Sequence, residues 1–192
     1  MIRPARRISR QLNGLWRDRR GVSATEFALI LPFMLVILIG MTELSGAINA
    51  DRKVSRIANS TTDLVAQAQT LTTAELDDIL ALGEKILDPY PDDTLETIIS
   101  SVTFDEDGDP IVDWSYSNKS NAWDEGAAPP VVLPETVAAP LTSIVIAEST
   151  LVYTPPFSGL FTETFPRLAN YTLKDIFYLR PRLANTVNCS DC

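Results

Sequence analysis

Apolar residues along this chain form one unbroken run, followed by patterns of two different periods. From Phe27 to Thr42 the sequence FALILPFMLVILIGMT carries no charge, and extending it back to Val22 meets only Glu26. At 1.5 Å rise per residue, residues 22–42 make about 31 Å of helix, one hydrocarbon thickness. The ten Leu, Ile, Phe and Val residues between Phe27 and Ile39 favour insertion by about 3–6 kcal/mol, against about 3 kcal/mol or less for one acid near an end. Pro32 removes one backbone hydrogen bond, a defect that membrane helices tolerate. Beyond the run, Leu44, Ile48, Val54, Ile57, Ala58, Thr61, Leu64, Val65, Ala68 and Leu71 recur mainly three and four apart. That spacing predicts a helix continuing to about Leu71, with Gly46 as its weak point.

Thr72-Thr73-Ala74-Glu75 has the spacing of a capping box and opens a second amphipathic helix through Leu87, ended by Asp88-Pro89. After Pro91 the period changes to two. TIISSVTF (97–104) and IVDWSYS (111–117) flank an acidic Gly/Pro turn and predict a β-hairpin. Residues 119–140, with four prolines, read as loop, and strand character returns at Ser143–Tyr153 and Tyr171–Leu179, separated by a proline-interrupted loop from Thr154 to Arg167. The economical fold is α+β: a long N-terminal transmembrane and amphipathic helix with a small antiparallel sheet packed on its outer half. The expected divisions are 1–21, a basic leader; 22–42, the span; 43–71, the continuing helix; and 72–192, an outer α+β domain.

Charge sharpens this layout. The first 20 residues hold seven arginines against Asp18, so the rest of the chain is more acidic than the overall net of −9 suggests. The arginines precede the span, whereas only Arg52, Lys53 and Arg56 follow it closely, so the positive-inside bias keeps the N-terminus cytoplasmic. No later stretch is long and apolar enough to cross again, which makes the expected topology single-pass. An acidic body without a basic stripe argues against nucleic acid as a partner. The chain has no histidine, which excludes Ser-His-Asp and Cys-His catalysis and every His-ligated metal. No catalytic site, cofactor or metal is expected, and the chain is read as no enzyme.

At the entry to the span stand Arg19-Arg20-Gly21-Val22-Ser23-Ala24-Thr25-Glu26-Phe27: a basic run, a glycine, and a glutamate five positions after it. Glu26 lies four residues beyond Val22, about 6 Å along a helix, where an acid entering lipid needs a partner. This motif resembles the processing site of type IV prepilins, in particular the TadE/TadG-like pseudopilins of the tight-adherence (Tad) type IVb pilus system. The resemblance implies a pilin-like fold, cleavage by a membrane prepilin peptidase between Gly21 and Val22, and Glu26 as fifth residue of the mature chain. It also implies other pilins and the Tad secretion machinery as partners, and anchoring in the bacterial inner membrane with the body in the periplasm. Tyr153-Thr154-Pro155-Pro156-Phe157, Tyr178-Leu179-Arg180-Pro181-Arg182 and Cys189-Ser190-Asp191-Cys192 look like a pattern of the same family. Val22 and Phe27 depart from the residues that pilus-forming relatives often carry there, and the long acidic body favours an accessory pseudopilin over the major subunit.

Other readings stand beside this one. An uncleaved single-pass protein could bind a ligand or cell-wall component through its outer domain, and Ser45-Gly46-Ala47 offers small residues for signal-peptide cleavage. Cys189 and Cys192 form C-x-x-C, open to a redox dithiol or half a zinc site, and read here as a disulfide closing a small loop in an oxidising compartment. Asp105-Glu106-Asp107-Gly108-Asp109 suggests a calcium loop, but position 12 from Asp105 is Tyr116 and the glycine comes two places early, so a solvated hairpin turn is expected. Trp114, Tyr116 and Trp123 are core or adhesive aromatics.

Overall fold

The computed structural model describes residues 20–134, 136–160 and 170–192; the leader arginines up to Arg19 and Arg167 lie outside them. The elements are α1 (Arg20–Ala66), β1 (Thr70–Leu71), α2 (Thr73–Leu87), β2 (Leu95–Phe104), β3 (Pro110–Ser117), β4 (Ser143–Tyr153), a 3-10 turn (Ser158–Leu160), β5 (Tyr171–Leu179) and β6 (Asn188–Cys189). The long helix and the four-stranded antiparallel sheet expected from the sequence are both present. Contacts divide the chain between Leu44 and Ser45 into two compact units.

In the first unit α1 runs uninterrupted through Pro32 and is long and apolar enough to cross a membrane. Large apolar side chains from Phe27 to Met41 stand exposed, so protein packing does not account for them. Two hydroxyls flanking this stretch are satisfied by their own helix: Thr25 Oγ1 donates to the Val22 carbonyl at 2.7 Å and Thr42 Oγ1 to that of Ile39 at 2.8 Å. Such self-bonding removes the cost of carrying a hydroxyl into lipid.

In the second unit the sheet order is β3-β2-β4-β5. Side chains alternate across it. One face, with Leu95, Leu151 and Tyr153, joins Ala50, Val54 and Ile57 of α1 and Leu87 of α2. Ile99, Trp114 and Val145 continue that face against Val65, Ala66, Leu76 and Leu80. The opposite face, with Val102, Phe104, Val112, Ile144 and Ile146, is covered by Trp123, Val131, Leu133 and Val137 from the proline-rich stretch. That stretch is a loop as expected, yet it is structural: Gly126 N donates to Val112 O at 2.9 Å and Val112 N to Ala127 O at 3.0 Å, which covers part of the β3 edge.

Two expectations need correction. The helix ends at Ala66, not near Leu71, because Thr70 and Leu71 pair in parallel with Asn188 and Cys189. Ala68 and Leu71 kept the helical spacing because both face the core, which periodicity reports without distinguishing helix from strand. Gly46 is not a weak point: α1 passes through it unbroken, and a Cβ there would lie 2.5 Å from Tyr153 Oη. Its lack of a side chain permits close approach.

Candidate functional site

The residues singled out at the processing motif share one helix. Gly21, Val22, Glu26 and Phe27 all lie on α1 and are exposed, with Val22 and Phe27 about half uncovered. Val22 and Glu26 are four apart, so they occupy one helical face a turn apart. Nothing lies within 4 Å of a Cβ built at Gly21. Packing therefore gives no reason for a glycine at this position, unlike Gly46 or Gly83, where a Cβ would meet Ile57 Cγ2 at 3.0 Å.

The second group lies in the body. Cys189 and Cys192 are paired, with Cα atoms 5.6 Å apart, and hold between them Ser190 and Asp191. Asp191 is a residue whose role the sequence reading did not find. Its carboxylate accepts from Thr73 N at 2.8 Å and from Thr73 Oγ1 at 2.9 Å, at the first residue of α2. The first N–H groups of a helix have no partner within it, and a carboxylate there also meets the positive end of the helix dipole. The predicted capping box is present alongside, with Thr72 N donating to Glu75 Oε2 at 2.9 Å and Glu75 N to Thr72 Oγ1 at 3.3 Å.

The chain around residues 182–190 thus follows the whole α1–α2 junction. Arg182 N donates to Ala66 O at 2.8 Å, Asn188 N to Gln69 O at 3.1 Å and Ser190 N to Leu71 O at 3.0 Å. The Arg182 guanidinium and the Gln67 amide both reach Asp63. Carbonyls left open at the end of α1 and donors left open at the start of α2 are met by one late segment. No local signal announces this, because the partners are more than a hundred residues apart.

The aromatic residues serve the fold. Trp114 is buried and its Nε1 donates to Val187 O at 2.7 Å. Tyr116 Oη donates to Asp77 Oδ1 at 2.7 Å. That bond, followed by burial and by the charges of Asp77 and Asp191, raises the phenol above its ordinary range. In the YTPPF stretch, Tyr153 is buried and its ring meets Tyr90 edge-on at 5.7 Å, while Tyr90 Oη donates to Gly46 O at 3.1 Å. In the acidic turn, Asp105 Oδ1 accepts from Asp107 N at 3.0 Å and Asp109 N at 2.8 Å, so this carboxylate holds the turn. Among the described residues no group of three or more Cys, Asp or Glu side chains is placed to hold a metal.

A long apolar-to-amphipathic helix carrying a small sheet body defines the class: a protein anchored by one N-terminal helix, with an α+β domain built on the continuation of that helix. Residues 21–62 match the family described as TadE-like protein. The match covers the apolar stretch and much of the helix beyond it, and agrees with the family that the Gly21–Glu26 motif resembles. No curated protein and no solved structure gives a significant match.

Proposed function

We propose that the chain is a TadE-like minor pilin, a pseudopilin that takes part in assembling a Tad-type adhesive pilus and acts through assembly, not as an enzyme. It is held in the bacterial inner membrane by residues 22–42, with its N-terminus cytoplasmic and its body periplasmic. A prepilin peptidase cuts between Gly21 and Val22. Its other partners are pilins, pseudopilins and the Tad secretion machinery. The observation that carries this reading is where the family match lies: it begins at Gly21 and takes in Val22, Glu26, Phe27 and the whole apolar stretch.

The geometry supports a processing role for Gly21. The bond to be cut lies in α1, and a glycine costs about 1 kcal/mol less to unwind there than an alanine. Since nothing packs against the glycine, its place is better explained by the enzyme that must approach the bond. Cleavage leaves an ammonium at Val22, one turn from the Glu26 carboxylate. In a membrane each charge is costly alone, so the pair, within one chain or between neighbours, favours helices docked in one register. The disulfide of Cys189 and Cys192 belongs to the same reading, since it requires an oxidising compartment.

N-terminal sequencing of the protein extracted from its native membrane tests the proposal. Val22 as first residue supports it. Met1 would select the uncleaved membrane-anchored binding protein, and Ile48 a body released after Ala47; either overturns the pilin reading.

A further inference from the structure

Within the body, the surface of α1 turned away from the sheet carries an arginine pair that no described residue neutralises. Arg52 and Arg56 are exposed and one turn apart, with no acid three or four residues from either. Elsewhere Lys174 meets Glu148, Arg182 meets Asp63, and Lys53 and Lys119 donate to the Ile86 and Asp92 carbonyls. Arg52, Arg56, Lys85 and Arg180 bond to no group among the described residues, and of these Arg52 and Arg56 stand one turn apart on one helix face. Asp51 is adjacent in sequence but about 100° away round the helix. Two like charges at this spacing oppose each other, so the face is worth more covered by an acidic surface than bare.

The same body presents that acidic surface. The β2–β3 turn holds Asp105, Glu106, Asp107 and Asp109, and no basic residue occurs from 86 through 118. Asp105 is engaged in the turn, which leaves Glu106, Asp107 and Asp109 exposed. The two surfaces cannot meet within one copy. β2 starts at Leu95, which packs in the cluster with Ala50 and Val54, and runs ten residues to Phe104 at the turn. Ten strand residues separate the ends by about 30 Å, three Debye lengths at ordinary ionic strength.

We propose that the α1 face bearing Arg52 and Arg56 docks the acidic β2–β3 turn of a second copy of this chain. Joining opposite ends of identical bodies, the contact is head-to-tail and does not close on itself, so copies related by an axial step extend into a row. Its partners in charge are bidentate arginines and carboxylates, which fix geometry as well as sign. The proposal rests on the body's surface alone and stands or falls apart from cleavage at Gly21.

Co-purification of two differently tagged full-length copies in mild neutral detergent tests it. Arg52→Glu with Arg56→Glu in one copy, its partner unchanged, lowers recovery by roughly tenfold, as does Glu106→Lys with Asp107→Lys and Asp109→Lys in the other. A pair carrying reversed arginines on one copy and reversed acids on the other recovers association. Raising salt from about 0.05 to 0.5 M weakens the parent pair. The milder Arg52→Gln with Arg56→Gln reports the same loss if reversal disturbs folding. The proposal is overturned if parent copies do not associate, or if reversal leaves recovery unchanged, as when the apolar stretch of α1 alone joins copies. It is overturned equally if the reversed pair is not restored, which would point to an acidic partner of another sequence.

Discussion

Placing one methyl group at position 46 tests how the helix and sheet are held. Gly46→Ala improves helix propensity by about 1 kcal/mol and, on an open helix surface, would stabilise. Here the new Cβ would stand 2.5 Å from Tyr153 Oη but 3.6 Å from Tyr153 Cζ, the latter an ordinary contact. The clash therefore belongs to the hydroxyl alone. The tyrosine cannot simply swing away, because it is buried and its ring is set edge-on against Tyr90, whose own hydroxyl bonds to Gly46 O. Forcing a methyl into such packing costs about 1–3 kcal/mol, so the net effect of Gly46→Ala is destabilising by up to about 2 kcal/mol. That corresponds to a fall of up to about 4–8 °C for a body of this size. In a Tyr153→Phe background the same substitution loses its clash and becomes neutral or stabilising by up to about 1 kcal/mol. Thermal unfolding of the full chain in detergent, followed by fluorescence from Trp114 and Trp123 as well as far-ultraviolet circular dichroism, measures the four corners of this double-mutant cycle. A coupling of about 1–3 kcal/mol is expected. Additive effects, or Gly46→Ala stabilising the parent, would refute the close-approach account of this glycine.

Other substitutions probe the remaining contacts. Asp191→Ala removes both acceptors for Thr73 and costs about 1 kcal/mol, with faster hydrogen exchange at the Thr73 amide; unchanged exchange there would show that the carboxylate does not cap α2. Tyr116 holds its proton more tightly when folded than its ordinary value of 10.0, so its contribution is complete below pH 10 and is lost as pH rises through the higher folded value. Tyr116→Phe accordingly flattens the alkaline fall in stability, and an identical fall in both proteins would contradict the assignment. Glu26→Gln keeps cleavage at Val22 and insertion into the membrane while removing the charge proposed for docking, so cross-linking to other pilus subunits is lost; normal piliation by the cleaved variant would leave Glu26 without an assembly role. Alkylation of the mature protein labels Cys189 and Cys192 only after reduction, and labelling of both without reductant would contradict an oxidising location.

Much of this protein is local chemistry written in order along the chain. The apolar run from Phe27 to Thr42 specifies a helix fit for a membrane because sixteen uncharged, mostly apolar residues in a row leave it no polar face to turn to water. The α2 start at Thr72 and Glu75, and the strands Ser143–Tyr153 and Tyr171–Leu179, were legible for the same reason: a cap acts over three residues and a strand shows its period within a few. The motif at Gly21 and Glu26 was legible because it is short and contiguous, and the family match begins at the same glycine. What tertiary structure decided are the meetings between distant parts. The end of α1 at Ala66 depends on Asn188 and Cys189 pairing with Thr70 and Leu71, and no pattern near Leu71 reports a partner more than a hundred residues away. Gly46 was read from its propensity, whereas its place is set by the hydroxyl of Tyr153. Asp191 in the sequence is one acid among 25; only the fold, by bringing it to an unsatisfied N–H of α2, makes it a cap, since a backbone donor left without an acceptor carries a cost that any correctly placed carboxylate can remove.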